Sequence, residues 1–352
     1  MTAPPPTFGT GLPVEIGAIQ RELKKLWDQG GEVMTRASLM NLAVYSQAPD
    51  SLAANTALIS QITEDHACRA IVIAADPTAQ KDRVEAWISA HCHISRAGSK
   101  QICSEQLSFS LGGPCTSLLP NIVFSHLDSD LPFYLWWQGE LPDPIDPQLW
   151  TWVDRLLYDS QGWRDFESQA RLVERAQEEA KHRVVLCDLN WTRLVQMRLA
   201  LAQFFDQPIS QQCLGQIERI EIEHAPGFRS TALLLAGWFA AQLRWRLDSE
   251  RADASLRFVR DNTRGVHVAL DKKGDEPISR CSLFCGQTTF SVAQRRDADL
   301  LDVSMNIEGI QRLQQLMPAG SNEPVALVSE ELMRGGPHRV YLRAVQAVRG
   351  LL

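Results

Sequence analysis

Short apolar runs alternating with helical patterns restrict this chain's fold more than any other feature. Ser38–Ser46 (SLMNLAVYS), Arg69–Ala75 (RAIVIAA), Gln101–Leu111 (QICSEQLSFSL) and Leu131–Trp137 (LPFYLWW) each read as a strand. Val14–Gln29 carries Ile16, Ile19, Leu23, Leu26 and Trp27 at helical spacing, and a second helix runs from Pro49-Asp50-Ser51 to His66. The spacing also predicts helices over Gln80–Ala97 (on Val84, Trp87, Ile88 and His91), from the Gly112-Gly113-Pro114 turn to Leu127, and over Pro147–Leu157. Such alternation predicts an α/β layered domain with a mostly parallel sheet at residues 14–165. A Pro-rich flexible arm, residues 1–13, precedes it.

The second half changes character. Phe166–Lys181 is a charged helix whose Glu167/Arg171, Arg171/Arg175 and Glu174/Glu178 spacings read as a solvated face. A strand over Arg183–Leu189, a helix over Trp191–Phe205, an alternating strand over Ile217–Glu223 and an apolar helix over Ser230–Leu247 follow. Five strand patterns come next, at 255–260, 265–270, 278–285, 287–293 and 299–306. Glu323–Met333 and His338–Leu352 are helices separated by Gly335-Gly336-Pro337. Meander strands beside helices predict an α+β domain over 166–352. Two domains fit 352 residues, at roughly 100–200 residues each.

Charge and motifs remove several function classes. A net charge of −7 argues against a general binder of nucleic acid or anionic membrane. The longest apolar run, Ala232–Ala241, is far short of the ~20 residues that span a bilayer. The opening residues carry no signal-peptide pattern, so the expectation is a cytoplasmic chain. No glycine follows the first strand (NLAVYSQAPD), so the sheet lacks the loop that lets a backbone approach a pyrophosphate. GxxxxGK[ST], HExxH, CxxC and GxSxG are all absent. The reading is therefore of no cofactor, no metal and no catalytic residue. His91-Cys92-His93 and His66/Cys68 look like metal ligands, but adjacent residues point to different faces. They read as partly buried groups near a helix end.

Other groupings have plain readings. Arg244/Arg246/Arg251 and Arg257/Arg260/Arg264 read as exposed charge at element ends. Five of the ten Trp fall between Trp136 and Trp163 and read as core. Among eight cysteines, Cys281 and Cys285 are the close pair. On an extended strand their Cα atoms stand ~13 Å apart, whereas a disulfide needs less than about 7 Å. They bridge only if Ser282–Phe284 bends, and otherwise are structural thiols.

Several stretches together resemble one family, the glucose-6-phosphate dehydrogenase assembly proteins called OpcA. They are IGAIQRELKKLW (16–27), TRASLMNLAVYS (35–46), ICSEQ (102–106), DLPFYLWWQGELP (130–142), LWTWVDRLLYDSQGW (149–163) and EELMRGGPHRVYLRAVQ (330–346). ICSEQ and LPxxLWWxG are the specific ones, and the opening helix is similar to members from oxygenic photosynthetic bacteria. The resemblance implies a non-catalytic activator that binds glucose-6-phosphate dehydrogenase and promotes its active oligomer in the oxidative pentose phosphate pathway. It also implies redox control through cysteines that thioredoxin reduces, with Cys281 and Cys285 as the candidate redox residues. The rival readings are an enzyme acting on a sugar phosphate through the Arg-rich second domain, and a redox-sensing adaptor for another partner.

Overall fold

The computed structural model describes residues 11–30, 34–94, 101–181, 183–248, 256–260, 264–296 and 298–351. They divide into two compact units: Met1–Tyr158 with Arg175–Cys187 and Val328–Gly336, and Asp159–Glu174 with Asp188–Leu327 and Pro337–Leu352.

The first unit is built on β1 (Leu12–Val14), α1 (Ile19–Gly30), β2 (Met34–Arg36), β3 (Asn41–Ser46), α2 (Leu52–Asp65), β4 (Arg69–Asp76), β5 (Arg83–Ile94) and β6 (Gln101–Gly112). It continues with α3 (Leu119–Ile122), β7 (Phe133–Gln138), α4 (Leu149–Trp152) and β8 (Arg155–Tyr158). The helix α5 (Phe166–Glu179) and the strand β9 (Val185–Asp188) follow in the chain. The sheet order is β1-β5-β6-β4-β3-β7-β8-β9, with β2 paired to β6. β6, β4, β3, β7 and β8 are parallel, whereas β5 pairs antiparallel with β6 and β1 pairs antiparallel with β5. The central strands read as unbroken apolar runs because β3 and β4 are buried nearly throughout.

Three expectations need correction here. Gln80–Ala97 is not a helix: β5 pairs with β6 residue by residue from Arg83↔Gly112 to Ile94↔Gln101. Val84, Ala86 and Ile88 alternate with Glu85, Trp87 and Ser89, and twelve residues of ladder outweigh a coincidental helical spacing. The helix over Pro147–Leu157 stops at Trp152, because Val153 turns extended and Arg155–Tyr158 is a buried strand beside β7. Residues 1–10 of the expected arm lie outside the described residues, and Leu12–Val14 at its end pair with Ala86–Ile88 as an edge strand.

The second unit holds α6 (Leu189–Thr192), α7 (Val195–Gln203), α8 (Pro208–Leu214), β10 (Arg219–His224), α9 (Arg229–Leu243) and β11 (Arg246–Leu247). Next come β12 (Leu256–Arg260), β13 (Arg264–Lys272), β14 (Arg280–Cys285), β15 (Thr288–Gln294), β16 (Leu300–Ile307) and β17 (Ile310–Pro318). The helices α10 (Pro324–Met333), whose residues from Val328 on belong to the first unit, and α11 (Tyr341–Val348) close the chain. The eight-stranded sheet runs β11-β12-β13-β10-β14-β15-β16-β17, antiparallel except for the parallel β10/β13 pair. Ile220, Ile222, Leu283, Phe290, Val292 and Val303 point to one face and are fully buried, as period-2 alternation requires.

The helix α9 is apolar all round because it is buried all round. Gly237 lets α11 approach: a Cβ there would collide with the Ala344 carbonyl oxygen. The helix α5 is charged on one side only. Glu167 pairs with Arg171, while Phe166, Ala170, Val173 and Ala176 are buried, so it is amphipathic rather than wholly solvated.

Candidate functional site

In the ICSEQ run the polar residues Ser104, Glu105 and Gln106 are all buried. On β6, Glu105 is 1% exposed and accepts from Arg69 Nη1 at 2.9 Å, Arg36 Nη2 at 2.8 Å and Trp27 Nε1 at 3.3 Å. Arg69 is itself buried, and burial, partly offset by the Glu105 charge, pulls its guanidinium below the ordinary arginine value. Burial, then the Arg69 charge, likewise lowers His126. Gln106 binds His91 Nε2 through Oε1 at 2.8 Å and donates to Thr56 at 3.0 Å and Ser108 at 2.8 Å. Ser104 Oγ accepts the Cys68 N–H at 3.1 Å. A motif satisfied this completely holds strands together and leaves no group facing outward for chemistry.

Cys103 supplies the last link. It is disulfide-bonded to Cys92, directly opposite on β5, with Cα atoms 4.1 Å apart. Cysteine spacing alone did not reveal this pair, since reading 80–97 as a helix hid the register. Alternation along RVEAWISAHCHI was the available signal. His91 and His93 flank Cys92 on the opposite face, and His93 Nε2 lies 3.1 Å from Thr63 Oγ1. These groups sit on a strand rather than near a helix end. His66 does sit at the end of α2, and burial lowers it, while burial raises the Cys68 thiol to about 12. Among the described residues, no three His, Cys, Asp or Glu side chains come together to hold a metal.

The ends of the parallel strands, where a doubly wound sheet takes a ligand, are filled by side chains. Tyr45 stacks on Trp137 at 4.0 Å, and Asn55 and Gln138 exchange hydrogen bonds at 3.0 and 2.8 Å. Trp136, Trp137, Trp150 and Trp163 are buried, and Trp152 is 45% exposed. The first four are core, as expected from the sequence.

The second unit has a polar centre that the sequence did not mark. Asp188 caps α6 and is fully buried. It accepts from Ser160 N (3.0 Å), Ser160 Oγ (2.7 Å), Asn190 N (2.9 Å) and Tyr341 Oη (2.9 Å). Asn190 extends the network to Ser160 and Thr231. Burial, followed by the nearby Asp159 charge, pushes Asp188 up to about 7. The pair Arg193–Asp159 closes at 2.8 Å beside it. Next to Arg193 lies a cavity of about 30 Å³ lined by Gln196, Glu276 and Asn322, room for one water and too small for a metabolite.

The arginine groups do not converge. Arg257 meets Asp248 at 3.7 Å, and Arg260 reaches the Leu214 carbonyl at 3.5 Å. Arg244 is the left-handed cap of α9, and Arg251 lies outside the described residues. Cys281 and Cys285 are both buried free thiols on β14. Cys281 pairs with Ile222 and Val292 and Cys285 with Thr288, with no interruption of either ladder. Ser282–Phe284 therefore does not bend, and this strand holds the two sulfurs apart. Burial raises Cys281 strongly, and burial together with Cys213 raises Cys285 to about 12.

Residues 59–177 match the family described as glucose-6-phosphate dehydrogenase subunit N-terminal domain, and residues 184–345 the corresponding C-terminal domain. The chain is similar to a protein of Nostoc punctiforme named putative OxPP cycle protein OpcA, with 28% identity over 224 residues. That match covers 60% of this chain and 47% of the relative. A protein of the same name from Synechococcus elongatus is 25% identical over 316 residues, covering 83% of this chain and 69% of the relative. One from Synechocystis is 29% identical over 188 residues, covering 52% and 38%. The chain thus spans about half or less of the Nostoc and Synechocystis relatives' length. Among solved structures, an aldose-aldose oxidoreductase from Caulobacter crescentus, complexed with glycerol, is 8% identical with a TM-score of 0.46. It covers 88% of this chain and 96% of its own, a likeness too weak to carry chemistry. With both domain families matched in order and three relatives sharing one name, the chain belongs to the OpcA family of glucose-6-phosphate dehydrogenase assembly proteins.

Proposed function

We propose that this chain is a non-catalytic partner that binds glucose-6-phosphate dehydrogenase and promotes its active oligomeric form in the oxidative pentose phosphate pathway. The ordered pair of domain matches over 59–177 and 184–345 is the observation that supports this reading. An activator of this kind works by population shift. It binds the assembled, active state more tightly than the inactive one, and a preference of ~3 kcal/mol moves that equilibrium more than a hundredfold. Such work needs surface rather than convergent acids and bases. Inward-facing polar centres at Glu105 and Asp188 are compatible with a scaffold whose exterior is free to dock.

The proposal places this work in the cytoplasm and includes thioredoxin-linked thiol control of the activation. The test mixes the chain with its cognate dehydrogenase and follows co-elution together with the substrate dependence of the rate. A complex with raised activity at low substrate is the expected result. Absence of both a complex and a rate change refutes it. Comparing oxidised chain with thioredoxin-reduced chain in that assay tests the redox part: equal activation removes it.

A further inference from the structure

The thiol that faces Cys285 is not Cys281 but Cys213. Cys213 lies near the C-terminal end of α8 and is half-buried, whereas Cys285 ends β14 and is buried. The two ends are laced together by backbone bonds. Gln216 N–H donates to the Cys213 carbonyl at 2.8 Å, and Glu218 N–H donates to the Phe284 carbonyl at 3.1 Å. Gly286 N–H donates to Glu218 Oε1 at 3.2 Å. The turn after α8 is thereby fixed against the end of β14. Cys285 Sγ stands 4.0 Å from Gln216 Oε1, three residues beyond Cys213, and Cys213 is near enough to act on the Cys285 thiol and help raise it.

We infer that Cys213 and Cys285 form a dithiol that closes to a disulfide on exchange with a low-molecular-weight disulfide. Access and contact assign the roles. Cys213, the more exposed sulfur, attacks one sulfur of the small disulfide as its thiolate. The S–S bond of the reagent breaks, and one reagent thiolate leaves and takes up a proton. Cys285, held against Cys213, then loses its proton and attacks the Cys213 sulfur. The mixed disulfide breaks, and the second reagent thiol leaves. Two protein thiols are oxidised and one small disulfide is reduced to two thiols. The product ties the end of α8 to the sheet across a sequence separation of 72. Cys281 takes no part, because the intact strand keeps it at the far end of β14, fully buried.

The experiment needs only the full chain, so it is independent of the dehydrogenase assignment. The folded protein is incubated with oxidised glutathione, alkylated, digested without reductant and mapped by mass spectrometry. The expected results are a linked Cys213–Cys285 peptide and loss of two of the six free thiols. Cys281→Ser should leave the link intact. Cys213→Ser, at a half-buried position the core does not need, should abolish it and leave Cys285 reduced. A stable glutathione adduct on Cys213 beside a reduced Cys285, a Cys281–Cys285 link, or no reaction would each overturn the inference.

Discussion

Removing the carboxylate of Glu105 is the sharpest test of how the first unit is held. Glu105 and Arg69 are 1% and 5% exposed, and their ion pair is shared with the half-exposed Arg36. Arg69 already has Nε and Nη2 without protein partners, so Nη1 to Glu105 is its main compensation. Glu105→Gln keeps the shape and removes the charge. Breaking one side of a buried pair strands the other charge, at about 3–5 kcal/mol. At roughly 2–4 °C per kcal/mol for a domain of 150–250 residues, the melting temperature should fall by about 6–20 °C. Arg36 reaches water and loses little, so Arg36→Ala should cost under about 1 kcal/mol. Replacing both buried partners, Arg69→Met with Glu105→Leu, should recover most of the loss, because no charge is then left dry. Calorimetry and denaturant titration of the three variants provide the readout. If Glu105→Gln melts within a degree of the parent, or the double variant is no better than the single, the buried pair is not what anchors these strands.

Further outcomes follow from the same geometry. Gly237→Ala pushes a methyl into the Ala344 carbonyl and should destabilise the second unit by about 1–3 kcal/mol, measured by denaturant unfolding. No loss there would mean that α9 and α11 do not pack this closely. Reducing Cys92–Cys103 opens a loop with a sequence separation of 11 and should cost roughly 3 kcal/mol by the chain-entropy account, seen as a lower melting temperature with reductant. Parent and Cys92→Ala should then melt alike. The two units should respond oppositely to pH. Asp188 is raised in the folded state, so its contribution is full below the ordinary carboxylate range and is lost as pH rises through about 7. His66, His91 and His126 are lowered by burial, so the first unit loses stability as pH falls through their ordinary value near 6.5. Hydrogen exchange at about pH 5.5 and 8 resolves the units, and parallel slopes would contradict this reading.

Much of the scaffold was legible in the sequence, for a local reason. Strands such as NLAVYS and RAIVIAA are apolar along their whole length, and a segment like that fits only the middle of a covered sheet. The alternation in IERIEIE and the uniform apolarity of α9 likewise report local burial. The missing glycine after β3 and the family-specific runs ICSEQ and LPxxLWWxG were also read directly. Residues 83–94 failed because Val84, Trp87, Ile88 and His91 satisfy a helical spacing by chance, while the alternating set matches a strand equally well. Pairing with β6 decides between the two, and that partner is chosen by the fold.

What the sequence by itself determined was the type of most layers, the missing glycine after β3 and the family. Each is a property of a few adjacent residues. Which side chains meet was decided only by tertiary structure. Cys92 finds Cys103 through strand register, and Cys285 faces Cys213 across a helix end rather than Cys281 along its own strand. Glu105 gathers Arg69 and Arg36, and Asp188 gathers Ser160, Asn190 and Tyr341. Except for Asp188 with Asn190, these contacts join residues that are not local in the chain, so their energies depend on burial and distance, which local sequence does not encode.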